Sequence, residues 1–111
     1  MIGVLNYGFG NLKSIDKALT FLDLDYQIIN NETTNISNFD KLILPGVGSF
    51  DYGINKIKND PRYEEILEAI DLQIPILGIC LGMQLLFSSS TEGKYNKGLN
   101  LVKGDCISFS D

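Results

Sequence analysis

Short apolar runs and helix-periodic segments alternate along the 111-residue chain. Four runs have the length of a buried strand, and each ends in a glycine, proline or polar turn. These runs cover residues 2–5, 26–29, 41–44 and 76–79. Between them, apolar residues recur every three or four positions, which is the spacing of one helix face. This alternation predicts parallel βαβ units, with helices covering both faces of one sheet.

Capping residues indicate where the predicted helices begin. Asn11 and Ser49 each precede a segment of helical periodicity, and their side chains can accept hydrogen bonds from the first turn. Asp60-Pro61 predicts a third start, because a capping side chain is followed by proline at the first helical position. A fourth helix is predicted to begin over residues 81–87, directly after the last of the four strands.

Two further segments complete the predicted organisation. Residues 30–38 are polar and indicate a loop. Residues 98–109 indicate a turn and a final β segment, with Ile107 and Phe109 on one face. The chain ends just after this strand, without a helix to cover it. We therefore expect an unfinished sheet.

Composition and charge exclude several classes of function. The net charge of −5 argues against nucleic-acid binding, because neutralising phosphates requires clustered Lys and Arg. Two cysteines without any histidine do not make a usual zinc site, and we expect neither metal nor cofactor. The apolar stretch 74–87 is too short and too interrupted to span a membrane, and residues 1–6 lack the basic start of a signal peptide. The expected setting is a reducing cytoplasm.

The strand-to-helix corner at residues 78–82 carries the candidate chemistry. Gly78 and Gly82 stand two residues either side of Cys80, and glycines at this spacing let a strand and a helix approach closely around a strained nucleophile. The start of the following helix favours a thiolate, and the N–H of Leu81 is expected to face a developing oxyanion. The local pattern alone fits a catalytic thiol and a small buried cysteine equally well.

Three turns follow the predicted strands, at residues 6–11, 45–48 and 78–82. Because chemistry in parallel sheets sits at the carboxyl ends of the strands, we expect these turns to be neighbours in space. The 45–48 turn is the candidate source of a second oxyanion donor. By default, Cys106 is an inert thiol and Glu92 a solvated surface charge.

These motifs resemble a known family. Residues 75–87, PILGICLGMQLLF, resemble the nucleophile signature of class I (triad) glutamine amidotransferases. Residues 6–12, 42–50 and 98–104 resemble the glutaminase subunit of imidazole glycerol phosphate synthase, from histidine biosynthesis. The resemblance implies a flavodoxin-like α/β fold: a partial doubly wound, mostly parallel sheet with helices on both faces. Residues 1–111 would form the N-terminal part of a single amidotransferase domain, with its C-terminal half missing.

The resemblance also implies roles for individual residues. Cys80 would attack the side-chain amide of glutamine, forming a glutamyl thioester and releasing ammonia. The amides of Leu81 and Val47 would form the oxyanion hole, after a flip of the strand at residues 45–48 turns the second amide inward.

The resemblance further implies how glutamine and the ammonia are handled. Gly48 would allow close approach of the substrate, and Gln84 and Glu92 would help hold glutamine, Glu92 through its α-amino group. The ammonia would pass to a partner cyclase subunit, a (βα)8 barrel in a heterodimer with this chain. That subunit would make imidazole glycerol phosphate and an aminoimidazole carboxamide ribotide.

One part of the family's machinery is absent from the sequence. The family completes its triad with a histidine and a glutamate two residues apart, far beyond the cysteine, and this chain has no histidine. A general base contributes on the order of 10²–10⁴-fold to the rate, so we expect the chain alone to be nearly inactive. We interpret it as the N-terminal half of such a subunit, which predicts an in-frame His-x-Glu in the coding DNA beyond Asp111. Two alternatives stay open: a paralogous amidotransferase for surface-polysaccharide sugar modification, and a non-catalytic partner-binding module.

Overall fold

A computed structural model describes residues 1–8, 10–30, 35–91 and 97–109. The strands are β1 (Ile2–Val4), β2 (Tyr26–Ile28), β3 (Lys41–Leu44), β4 (Ile76–Gly78), β5 (Phe87–Ser90) and β6 (Val102–Cys106). The helices are α1 (Leu12–Phe21), α2 (Phe50–Lys58), α3 (Tyr63–Asp71) and α4 (Leu81–Leu85), with a 3₁₀ turn at Ile36–Asn38. Within the described ranges, none of the helices is long and apolar enough to cross a membrane.

The first four strands form one parallel sheet in the order β2-β1-β3-β4. The chain steps from β1 to β2 in one direction and from β3 to β4 in the other. Because crossovers between parallel strands are right-handed, this reversal puts the connecting helices on opposite faces of the sheet. The strand order is that of flavodoxin-like folds, in which ligands bind at the switch point between β1 and β3. The predicted partial doubly wound sheet is confirmed.

Each face of the sheet has its own apolar core. On the α1 face, Ile43 packs with Val4 and Leu19. On the other face, Leu42 and Leu44 belong to a larger cluster with residues of α2, α3 and α4. Burying a side chain of this kind stabilises the fold by about 1.5–3 kcal/mol relative to leaving it exposed. The alternation along β3 therefore fixes which helix covers which face.

The predicted start of α3 was two residues early. The helix begins at Tyr63, and the carboxylate of Asp60 accepts a hydrogen bond from the Arg62 N–H at 2.8 Å. Asp60 therefore closes a turn ahead of the helix, and Pro61 lies in that turn instead of at the first helical position. Sequence patterns locate a helix more reliably than its first residue, because turn and cap use the same side chains.

The polar segment of residues 30–38 is not entirely a loop. Asn35 accepts a hydrogen bond from the Ser37 N–H at 3.0 Å, and this caps the 3₁₀ turn that follows. Ile36 lies in that turn and is only 1% exposed. A single apolar residue therefore ties this polar connection to the core.

The segment after Cys80 differs most from the prediction. α4 ends at Leu85 rather than continuing to Phe87, and the next residues form β5. β6 pairs with β5 in a separate two-stranded parallel sheet instead of extending the main one. Ile107 and Phe109 lie beyond the end of β6 and are exposed, so the predicted apolar face of this segment was wrong.

Hydrogen bonds from a later segment explain why α4 is short. The Leu85 carbonyl accepts from the Leu99 N–H at 2.7 Å, and the Leu86 carbonyl accepts from Leu101 and Val102 at 2.8 and 3.0 Å. The serines that follow compete with the backbone for hydrogen bonds and are mediocre helix formers. The last carbonyls of α4 accept hydrogen bonds from residues outside the helix, so another helical turn would gain them no further partner.

Candidate active site

The three turns expected to meet at the ends of the strands do meet. The hydroxyl of Tyr7, in the first turn, donates a hydrogen bond to the carbonyl of Pro45 in the second. A Cβ built on Gly46 would lie 2.9 Å from the backbone nitrogen of Gly82 and 3.1 Å from Cβ of Leu81. The second turn is thus in direct contact with both of the others, and the prediction is confirmed.

Cys80 occupies a strained corner between β4 and α4. Its φ of 53° and ψ of −119° lie in a region that non-glycine residues rarely adopt, and the residue is exposed. The corner is fixed on both sides: Ile79 donates to the Leu44 carbonyl at 3.0 Å, and Gln84 donates to the Cys80 carbonyl at 3.2 Å. Backbone hydrogen bonds on both sides therefore fix the corner, and Cys80 is exposed on it.

The two glycines beside this corner leave no space for a side chain. A Cβ on Gly82 would lie 1.9 Å from the carbonyl oxygen of Leu44, and a Cβ on Gly78 would lie 2.6 Å from Cα of Met83. Both contacts are with backbone, so no side-chain rotation relieves them. The expected close approach of strand and helix around the cysteine is confirmed.

The expected oxyanion donors are not both free in this arrangement. The Leu81 N–H donates to the carbonyl oxygen of Gly46 at 3.2 Å. A carbonyl of the 45–48 turn thus occupies the donor that follows the cysteine. The side chain of Val47 is 53% exposed, so this part of the turn lies at the surface. α4 has only five residues, which weakens the helix-dipole effect that the sequence suggested.

The residues expected to hold a substrate surround open space. Gly48 has a φ of +109°, and a Cβ built on it would meet nothing within 4 Å. Gln84 is half-buried and lines a cavity of about 240 Å³ together with residues 106–109. Cys80 does not line that cavity, so the structure does not join the two side chains in one pocket. Glu92 lies outside the described residues.

The second thiol is in a different environment from the first. Cys106 is half-buried at the end of β6, and its Sγ lies 3.9 Å from the Gln84 carbonyl oxygen. Burial, and then the nearby charge of Asp105, raise the pKa of the Cys106 thiol. A thiol held in its neutral form is a poor nucleophile. In the part of the chain that the structure describes, no three His, Cys, Asp or Glu side chains group into a metal site.

Tyr7 is a residue of the site that the sequence pattern did not indicate. Its side chain is only 5% exposed, and burial raises the pKa of its hydroxyl well above the ordinary value. Tyr7 lies in the turn after β1, and β1 pairs with β3, the strand that leads into Pro45. An aromatic residue in this turn was the one available indication of a contact with Pro45.

Comparisons with known proteins agree with this geometry. A family model described as "Glutamine amidotransferase class-I" matches residues 3–105. A protein of Caldanaerobacter subterraneus subsp. tengcongensis is 46% identical over 107 residues, covering 96% of this chain and 52% of the relative. One from Methanocaldococcus jannaschii is 44% identical over 111 residues, covering 100% of this chain and 55% of the relative.

Both relatives carry the name "Imidazole glycerol phosphate synthase subunit HisH". The chain spans about half the length of these curated relatives. The family model covers nearly all of the chain, including the cysteine corner and the two turns beside it. The chain belongs to the class I glutamine amidotransferase family.

Proposed function

We propose that this chain provides the nucleophile of a glutaminase, as part of the glutaminase subunit of imidazole glycerol phosphate synthase. The observation that carries the proposal is the strained, exposed Cys80 between two glycines that tolerate no side chain. Strain of this kind is expected where a side chain must be presented to a substrate. Names of relatives at 46% and 44% identity favour this branch of the family.

The proposed reaction begins with the Cys80 thiolate attacking the amide carbon of the glutamine side chain. A C–S bond forms, and the carbonyl electron pair moves onto oxygen to give a tetrahedral oxyanion. Collapse of this intermediate breaks the C–N bond, and the nitrogen leaves as ammonia after accepting a proton. Water then attacks the thioester, which releases glutamate and regenerates the thiol.

The attack requires a base that this chain does not contain. Histidine is the usual partner of a catalytic cysteine, and the sequence has none. The missing proton transfer is worth on the order of 10²–10⁴-fold in rate. We therefore infer that residues 1–111 alone hydrolyse glutamine very slowly, and that the base lies in a part of the protein beyond this chain.

The proposed oxyanion hole needs a rearrangement of one peptide group. At present the Gly46 carbonyl accepts the Leu81 N–H that would stabilise the oxyanion. Rotation of the peptide between Gly46 and Val47 would withdraw this carbonyl and turn the Val47 N–H toward the same place. Gly46 has no side chain to oppose the rotation. One movement would then supply both donors.

Substrate and partner follow from the same proposal. Gly48 provides open space beside the corner, and Gln84 and Glu92 are the proposed contacts of glutamine. The ammonia would pass to a (βα)8-barrel cyclase, with which this subunit would form a heterodimer in the cytoplasm. We assign only glutamine hydrolysis to this subunit, and the ring-closing chemistry to the cyclase.

Affinity labelling with diazo-oxo-norleucine, a reactive glutamine analogue, tests the proposal. In the full-length protein bound to its cyclase, we expect mass spectrometry to locate the label on Cys80. Cys80→Ala should abolish labelling, whereas Cys106→Ala, the matched control, should leave it unchanged. A wild-type complex that is not labelled at Cys80 would contradict the proposal and favour a non-catalytic binding module. Co-purification with a sugar-modifying enzyme instead of the cyclase would favour the paralogous amidotransferase.

A further inference from the structure

A buried tyrosine hydroxyl holds the start of the turn at residues 45–48. Tyr7 donates to the Pro45 carbonyl, and its hydroxyl oxygen would lie 3.0 Å from a Cβ on Gly46. The Tyr7 ring belongs to the larger apolar core, so the hydroxyl is fixed to the body of the domain. The next carbonyl along the chain, that of Gly46, is the one that accepts the Leu81 N–H.

We infer that Tyr7 is a positioning residue that fixes the pivot about which the Gly46–Val47 peptide rotates. This inference rests on the proposed glutaminase function. Rotation of that peptide changes ψ of Gly46 and φ of Val47, and leaves the preceding peptide where it is. The carbonyl held by Tyr7 belongs to that preceding peptide. The hydrogen bond therefore persists before and after the rotation, and keeps the donor in register with Cys80.

Core packing alone does not account for this hydroxyl. Pro45 is buried, and a buried carbonyl without a partner costs more than its hydrogen bond contributes when made. Phenylalanine would fill the same apolar space but would leave the Pro45 carbonyl without this donor. Because burial raises the pKa of Tyr7, the hydroxyl keeps its proton, and so its role as donor, across the physiological range.

Tyr7→Phe in the full-length protein, assembled with its cyclase, tests the inference. We expect kcat for glutamine hydrolysis to fall about three- to tenfold, because an unanchored pivot misplaces the Val47 N–H at the oxyanion and so forfeits part of the roughly 10²–10³-fold contribution of one donor. KM should change by less than about twofold. Alkylation of Cys80 by iodoacetamide should keep the wild-type rate, because displacement of iodide at a saturated carbon forms no oxyanion.

The matched control is Tyr26→Phe, which removes another hydrogen-bonded hydroxyl, one that contacts Thr20 at 3.0 Å on the α1 side of the sheet. This variant should leave kcat unchanged. A p-aminophenylalanine at position 7, which restores a donor, should recover the activity lost in Tyr7→Phe. The p-aminophenylalanine variant keeps both the ring and a donor, so its activity can still be measured if Tyr7→Phe folds poorly.

Four outcomes would overturn the inference. They are an unchanged kcat in Tyr7→Phe, an increased kcat, an equal loss of iodoacetamide reactivity, and failure of the folded p-aminophenylalanine variant to recover activity. An increased kcat would mean that Tyr7 holds the resting arrangement instead of the pivot. Failure of the underlying function is detected separately, because the wild-type complex would then not be labelled by diazo-oxo-norleucine.

Discussion

Among the glycines that the structure describes, Gly82 leaves the least space for a side chain. A Cβ there would lie 1.9 Å from the Leu44 oxygen, 2.7 Å from its carbonyl carbon and 3.1 Å from the Pro45 carbonyl carbon. Gly82→Ala must therefore move α4 away from β3. Such overpacking costs about 1–3 kcal/mol. The movement also breaks the 3.0 Å hydrogen bond from Ile79 to Leu44, worth about 1 kcal/mol.

We expect Gly82→Ala to lower the free energy of unfolding by about 2–4 kcal/mol, a large share of the 5–15 kcal/mol typical of whole domains. Urea denaturation of the full-length protein, followed by circular dichroism, measures this change as a lower midpoint. The matched control is Gly10→Ala in the neighbouring turn. Its Cβ would lie 3.3 Å from side-chain atoms of Pro45, a contact that a small shift relieves. We expect this control to remain within about 1 kcal/mol of wild type.

The two variants together separate a local clash from a general sensitivity of the site. If Gly82→Ala were as stable as Gly10→Ala, the close packing of α4 on the end of β3 would be refuted. If both variants lost the same large amount of unfolding free energy, any side chain added in these turns would be destabilising.

Three further predictions concern the core, a helix cap and an exposed face. Burial raises the pKa of Tyr7 in the folded protein, so the stabilisation linked to its protonated hydroxyl is complete below pH 10.0 and is lost as the pH rises through that raised pKa. A spectroscopic titration should show that one of the five tyrosines ionises only as the protein unfolds, and this ionisation should be missing in Tyr7→Phe. Ser49→Ala removes the oxygen that accepts the Tyr52 N–H at 3.4 Å and should cost about 0.5–1 kcal/mol in urea denaturation, whereas no loss would exclude a cap. A groove of about 360 Å³ lies beside Leu77, which is 59% exposed, and it should bind the dye anilinonaphthalene sulfonate in the 1–111 chain. Leu77→Lys should lower the fluorescence of the bound dye, and unchanged fluorescence would show that the dye does not bind at this groove.

The parts of the fold that were predicted correctly are those fixed by local signals. The four strands of the main sheet coincide with the four short runs that end at glycine, proline or polar turns, so the length of each run and the turn that follows it indicate the same element. Asn11 and Ser49 accept hydrogen bonds from the first turns of the helices that they precede, as expected. The corner at Cys80 was predictable because glycines two residues either side of it permit the close approach of strand and helix.

The parts that were missed depend on contacts between distant residues. β5 runs over Phe87–Ser90, which contains three serines and no strand periodicity, and it exists because β6 pairs with it. Propensity is weak for such a segment, and tertiary pairing decides its conformation. The contact of Tyr7 with Pro45 joins residues 38 apart in sequence. Only the order of the strands brings them together.

The arrangement around Cys80 separates two requirements of the proposed reaction. The thiol is exposed at rest, whereas the neighbouring donor on Leu81 is occupied by the Gly46 carbonyl. Loss of a single oxyanion donor costs on the order of 10²–10³-fold in rate. The carbonyl that occupies the first donor belongs to the same peptide as the second donor, the N–H of Val47. We therefore expect both donors to become available in one step, so that a single peptide rotation would switch hydrolysis on and off while the nucleophile itself stays in place.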